Sequence, residues 1–134
     1  MDQYEVVEEL GKGMYGQVFK IRRKKDGKHL VWKEINYGKL NQKETKWLTD
    51  EVNILKSLDW PNIVKYVERY VDTANTKIYI IMEYCENGDL KQIIDKMIAS
   101  KDVIPEKFVW KILSQMWLAL KNCHEHTPNK ILHR

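Results

Sequence analysis

Leu10-Gly11-Lys12-Gly13-Met14-Tyr15-Gly16-Gln17-Val18-Phe19-Lys20, followed by a basic hairpin and by Leu30-Val31-Trp32-Lys33-Glu34, is the stretch on which the fold turns. Its glycines are spaced G-x-G-x-x-G. A residue without Cβ accepts positive φ and lets backbone come close to a phosphate. In a dinucleotide fold the same pattern opens a helix. Here Gly16 leads instead into Gln17 to Arg23, where Val18, Phe19 and Ile21 favour strand, and then into the polar turn Lys25-Asp26-Gly27-Lys28. The glycine loop therefore joins two strands.

A third strand, His29 to Ile35, follows the turn, and a period of two puts Val31, Lys33 and Ile35 on one face. In an antiparallel sheet, Val18 and Val31 form an apolar ceiling for a flat ring while Lys33 reaches a phosphate beyond it. The alternative at this point is a glycine-rich hairpin with a surface lysine.

Composition sets the limits around that stretch. The chain has 134 residues, 43% of them apolar, one domain's worth of sequence able to bury a core; domains of ~150 residues bury ~70% of their unfolded surface. The net charge of +4 comes largely from Lys20, Arg22, Arg23, Lys24, Lys25 and Lys28. Their clustering in one hairpin predicts a solvated β-turn rather than a nucleic-acid surface. Cys85 and Cys123 are far apart with no metal-ligand spacing, as reduced thiols are. No leader-like N-terminus and no apolar run of ~20 residues is present, which predicts a soluble, cytoplasmic protein without a membrane partner.

Taken in order, Tyr4 to Leu10 reads as a first strand, with Tyr4, Val6 and Leu10 in phase and Glu8 breaking the alternation. Asn41 to Glu44 has the form of a capping box, Asn41 as N-cap and Glu44 at N3, opening a helix to about Leu58. On that helix Trp47, Glu51, Leu55 and Leu58 make one stripe, with Leu48 and Val52 beside it. Glu51 is thus expected as a carboxylate in an apolar face, in need of a cation, and Lys33 is the candidate. The alternative places Glu51 at the stripe's margin, reaching water.

Pro61 ends the helix. Strand four is expected from Ile63 to Asp72 and strand five from Lys77 to Met82, joined by the turn Thr73 to Thr76. Asp89 and Gln92 suit an N-cap and its N3 partner, opening an amphipathic helix through Leu90, Ile93, Ile94, Met97 and Ile98. A last helix begins at Ile104-Pro105-Glu106, with Pro105 expected at N1. Phe108, Ile112, Met116 and Leu120 line one side, with Trp110, Trp117 and Leu118 elsewhere, so this helix expects cover nearly all round. His124 and His126 suit a helix C-terminus better than a metal site.

The glycine loop with Lys33 resembles the G-x-G-x-x-G-x-V and V-A-I-K motifs of eukaryotic protein kinases, with Val31 and Trp32 departing from Ala and Ile. Glu51-Val52-Asn53-Ile54-Leu55 matches the helix-C glutamate of that family, and Asp59-Trp60-Pro61-Asn62-Ile63-Val64 is similar to its H-P-N-I-V connection. Met82-Glu83-Tyr84-Cys85-Glu86-Asn87-Gly88-Asp89-Leu90 resembles its hinge, and His133-Arg134 the opening of H-R-D-L-x-x-x-N. Lys20-Ile21-Arg22-Arg23-Lys24, Val31-Trp32-Lys33-Glu34 and the hinge resemble the NIMA-related (NEK) serine/threonine branch.

The resemblance implies an α+β kinase-like fold: a five-stranded antiparallel sheet with helix C at 4–83, a hinge at 84–88, and helices D and E of an incomplete second lobe at 89–134. It implies ATP as cofactor, held by Leu10, Gly11, Gly13, Gly16, Val18, Val31, Lys33, Met82, Glu83, Cys85 and Asp89, with Lys33 and Glu51 the catalytic pair. Met82 would be the gatekeeper, where core filling is the alternative. Asp89 would meet ribose, compatibly with its capping role. Tyr66 takes a place in the regulatory spine, where it turns its hydroxyl toward the active site or simply packs in strand four.

Mg2+ is implied, with its ligands and the catalytic Asp beyond Arg134, so the chain is expected to be the inactive first half of a kinase domain. Protein substrates belong to the complete enzyme, and mitotic, centrosomal, ciliary, cytoskeletal or nuclear roles follow only from the family. The chain itself is expected to self-associate through its exposed last helix, and the alternatives are a non-catalytic binding or scaffold module acting through its exposed helices and, more distantly, a dinucleotide-dependent enzyme, disfavoured by the lack of a βαβ unit.

Overall fold

The computed structural model describes residues 2–13, 16–126 and 130–132. Its elements are β1 (Tyr4–Lys12), β2 (Gly16–Arg23), β3 (His29–Asn36), a 3-10 turn (Tyr37–Lys39), α1 (Gln42–Ser57), β4 (Tyr66–Asp72), β5 (Lys77–Glu83), α2 (Leu90–Ser100) and α3 (Glu106–Glu125). The strands form one antiparallel sheet in the order β1-β2-β3-β5-β4, the α+β arrangement expected. The chain divides into two units, Met1–Asp59 with Val64–Tyr84, and Trp60–Ile63 with Cys85–Arg134.

Alternation along β3 sorts the first unit's core. Leu30 and Trp32 pack with Ile21, Tyr79 and Ile81 in one cluster, joined by Tyr4, Phe19 and Val67. Ile35 packs with Ile78, Ile80 and Val52 of α1 in another, joined by Leu40, Leu48, Leu55, Tyr66 and Met82. Trp32, the departure from the family motif, lies between Phe19 (centroids 6.1 Å apart) and Tyr79 (5.3 Å). Its indole contributes packing area and ring contacts that an aliphatic residue lacks.

Local signals in the sequence correspond to observed bonds. Asn41 Oδ1 accepts from the Lys43 and Glu44 amides, and the Glu44 carboxylate accepts from the Asn41 amide at 2.9 Å, the reciprocal capping box. Asp89 and Gln92 make the same box on α2. The basic hairpin turns at Gly27, φ +70°, and three of its six cations meet acids: Arg22 to Glu5 at 2.6 Å, Arg23 to Asp26 at 2.5 Å and Lys20 to Glu8 at 3.4 Å. Two register shifts, between Val6 and Glu8 and between Glu9 and Gly11, account for the broken alternation in β1.

Two expectations are corrected. Strand four begins at Tyr66 rather than Ile63, because Pro61 and Asn62 sit in a turn closed by the Ile63 amide donating to the Trp60 carbonyl at 3.0 Å. Pro105 is the N-cap of α3, one position before N1, and its carbonyl accepts from the Phe108 amide at 2.9 Å. Among the described residues the apolar sides of α3 are left open, as self-association through the last helix requires: none of its residues is fully buried, with Trp110 62% and Trp117 68% exposed. His133-Arg134 lies outside the described residues.

The sheet's edge strands also meet, since the Tyr4 hydroxyl of β1 donates to the Glu68 carboxylate of β4. Burial first, then the Glu68 hydrogen bond, pushes the Tyr4 phenol up to about 12. A folded-state value above the ordinary 10.0 favours the neutral phenol in the fold, so its contribution is complete below about pH 10 and is lost as pH rises through about 12. Between about pH 9 and about pH 11.5, the guanidinium midpoint of the native chain should therefore fall more than that of Tyr4→Phe. Equal falls would exclude this seam as a source of stability.

Candidate functional site

A cleft of about 370 Å³ opens between the glycine loop, β3 and α1. Gly13, Gly16, Val18, Lys33 and Glu51, all singled out in the sequence, line it. Ile35, Leu40, Glu44, Trp47 and Leu48 line it as well, together with Glu34, whose carboxylate pairs with Lys77 at 2.6 Å.

Strand register sets the roof and wall. Val18 on β2 stands opposite Lys33, Val31 stands between Lys20 and Met82, and Ile80 flanks Lys33 on the other side. The Lys33 ammonium donates to Glu51 Oε1 at 3.5 Å. Side-chain exposure is 41% for Lys33 and 65% for Glu51, which corrects the expectation of a carboxylate drawn into an apolar face. The buried stripe of α1 is Leu48, Val52 and Leu55, while Glu51 sits at its margin. A single long contact in water contributes at most about 1 kcal/mol. Such a pair is easily parted.

The glycines differ in what holds them. A Cβ on Gly16 would stand 1.7 Å from the Glu34 carbonyl oxygen and 2.7 Å from its carbon, so close packing against β3 requires glycine. A Cβ on Gly11 meets nothing within 4 Å, and one on Gly13 meets only the Gly16 oxygen at 3.8 Å. The Gly13 amide donates to that oxygen at 2.8 Å, closing the loop whose tip residues, Met14 and Tyr15, lie outside the described residues. Space beside Gly11 and Gly13 is therefore open, and Gly13 lines the cleft with the Lys33 cation. An anionic polyphosphate suits that cation and a glycine without Cβ.

The remaining predicted residues stand apart from this cleft's lining. Leu10 is 45% exposed on β1, and Met82 packs beside Tyr66 on the α1 face of the sheet. Burial foremost pushes the Tyr66 phenol above its usual range, as for a ring packed in strand four. Glu83 closes β5, its amide donating to the Lys65 carbonyl at 3.0 Å and its carboxylate accepting from the Lys65 amide at 2.8 Å. Cys85 is exposed, and Asp89 caps α2 within the second unit. Sequence reasoning missed Leu40, Leu48 and Trp47 as cleft residues; Trp47 falls one turn before Glu51, and the Lys43 ammonium lies 5.1 Å from its ring centroid.

Among the described residues, no three His, Cys, Asp or Glu side chains are gathered so as to hold a metal ion, and no helix is long and apolar enough to cross a membrane.

A family model for the protein kinase domain matches residues 4–134. Serine/threonine-protein kinase Nek2 of Mus musculus is 46% identical over 136 residues, covering 100% of this chain and 31% of that protein. Nek2 of Homo sapiens is 47% identical over 135 residues, covering 99% and 30%. The G2-specific protein kinase nimA of Emericella nidulans is 47% identical over 126 residues, covering 94% and 18%. The chain thus spans about a third of the length of the Nek2 relatives, and less of nimA.

Alanine substitutions separate the two kinds of glycine. Gly16→Ala forces backbone apart between β2 and β3 and should cost about 3 kcal/mol or more, whereas Gly11→Ala should change thermal stability by less than about 1 kcal/mol. Melting curves that rank them the other way would contradict the packing role of Gly16.

Proposed function

The chain belongs to the protein kinase family and is related to its NIMA-type serine/threonine members; from that premise we propose that it is the ATP-binding part of such a kinase. The observation carrying the proposal is the Lys33–Glu51 contact at 3.5 Å inside a cleft roofed by the glycine loop. Lys33 would hold the phosphates next to the α1 side of the cleft, Glu51 would position Lys33, and the open backbone at Gly11 and Gly13 would cover the phosphates. Val18, Val31 and Met82 would bound the base, with Leu10 at its edge, the backbone of Glu83 and Cys85 as its hydrogen-bonding partners, and Asp89 as the ribose partner.

Bound ATP, held by Lys33, would supply the phosphoryl group, and Mg2+ would neutralise charge on its phosphates. The work of the protein here is positioning and charge stabilisation. Residues 4–83, 84–88 and 89–134 would be N-lobe, hinge and start of the C-lobe. In the family pattern the aspartate base, the metal ligands and the protein-substrate platform follow His133-Arg134. Residues 1–134 alone should therefore bind nucleotide weakly and transfer no phosphate to a Ser/Thr substrate. A cytoplasmic setting, with cytoskeleton, centrosome or nucleus, follows from the family resemblance alone.

A second reading, a non-catalytic binding module, is favoured by the exposed apolar side chains of α3, Trp110, Met116 and Trp117 among them. Concentration-dependent self-association of the purified chain is expected on either reading, and its loss in Trp110→Lys/Trp117→Lys would place the contact on α3; a monomer at all concentrations would count against the module.

In a version of the protein carrying the whole kinase domain, Lys33→Met and Glu51→Gln should each lower phosphoryl transfer by roughly 10- to 1,000-fold. Unchanged transfer in both variants would remove the assigned pair.

A further inference from the structure

Lys20 stands on β2 two residues past Val18, on the same face of the sheet, and its register partner on β3 is Val31. Val31 in turn pairs with Met82 on β5. At about 3.4 Å per residue, Lys20 lies about 7 Å along the strand from Val18. Gly16 opposite Ile35 marks one end of the roof, and Lys20, beside Val31 and Met82, marks the other.

The Lys20 ammonium is 3.4 Å from Glu8 Oε1 on β1 and 4.6 Å from the centroid of the Tyr84 ring, directly after β5. Its side chain is only 19% exposed. In the sheet, β2 and β5 are not neighbours, since β3 lies between them. Lys20 therefore bridges across β3, joining the β1–β2 hairpin to the chain that leaves β5. Together with the β2–β3 ladder and the Tyr4–Glu68 contact between the edge strands, that bridge holds the hairpin, and it is the contact that ties it to the chain leaving β5.

We propose that Lys20 is a positioning residue of the nucleotide site: through Glu8 and Tyr84 it fixes the tilt of the glycine hairpin against the end of β5, and so sets the gap that a nucleoside's base and sugar enter. The inference rests on the ATP-site reading above and assigns to this residue the end of the roof remote from Lys33. A cation held by a carboxylate and a ring face is replaceable by arginine and not by methionine. The phosphate end, about two residues away along each strand, is set chiefly by Lys33 and by the packing of Gly16 against the Glu34 carbonyl of β3.

Equilibrium dialysis of the full 134-residue chain, with ATP and separately with inorganic tripolyphosphate, tests this. Lys20→Met and Tyr84→Leu should weaken ATP binding by roughly 3- to 10-fold and leave tripolyphosphate unchanged, and Lys20→Arg should retain ATP binding within about twofold. Lys33→Met should weaken both ligands. Equal losses on both ligands in Lys20→Met, or unchanged ATP binding in Lys20→Met and Tyr84→Leu while Lys33→Met weakens both, would overturn the role of Lys20. Unchanged binding of both ligands in Lys33→Met would overturn the nucleotide reading, and the Lys20 inference would fall with it. Circular-dichroism melts monitor folding, and if Lys20→Met does not fold, Glu8→Gln takes its place with the same ATP-selective loss expected.

Discussion

Strict alternation along β3 is the constraint on which the site depends. This strand is central, paired on both sides, so a slip of one residue would exchange its two faces. Trp32 pins the register on one face by fitting between Phe19 and Tyr79, and Ile35 pins it on the other against Val52, Ile78 and Ile80. Lys33, between them in sequence, has no choice of side. The Lys33 contact with Glu51 is long and exposed, too weak to dictate that position, so the pair follows from the sheet and not the sheet from the pair. Gly16 adds a second register lock, because only a residue without Cβ fits against the Glu34 carbonyl.

A weak pair at the centre of a well-determined sheet has a functional consequence. The strand side, with Val18, Lys33 and Ile80, is fixed by a ladder of hydrogen bonds, whereas α1 meets the cleft through Glu44, Trp47, Leu48 and Glu51, of which Trp47 and Glu51 are largely solvent-exposed. Small shifts of the helix would make or break the contact at little energetic cost. The site is therefore built from one rigid wall and one adjustable wall.

The parts legible in the sequence were those fixed by local chemistry. Capping boxes at Asn41/Glu44 and Asp89/Gln92, the Gly27 turn and the two-residue alternation of β3 depend on neighbours within a few residues, and each is present. The parts that were not legible depend on tertiary placement. Helical periodicity put Glu51 in the apolar stripe, yet a stripe's margin is set by how α1 rolls on the sheet, and the roll leaves Glu51 in water. Leu40, in the connection before α1, carries no periodic signal, so its part in the cleft emerged only from the fold. The hydrophobic run from Ile63 read as strand because the turn at Trp60 to Ile63 is defined by a backbone bond that composition does not reveal.

The central claim is that the cleft beneath Gly13 and Gly16 binds ATP phosphates against Lys33. An acyl-phosphate derivative of ATP, which transfers its acyl group to an amine lying beside the bound phosphates, tests it directly when the modified lysine is mapped by mass spectrometry. The account predicts acylation at Lys33 that excess ATP suppresses, with Lys20 and the hairpin lysines left largely unmodified. Acylation spread over surface lysines, unaffected by ATP and sparing Lys33, would contradict it.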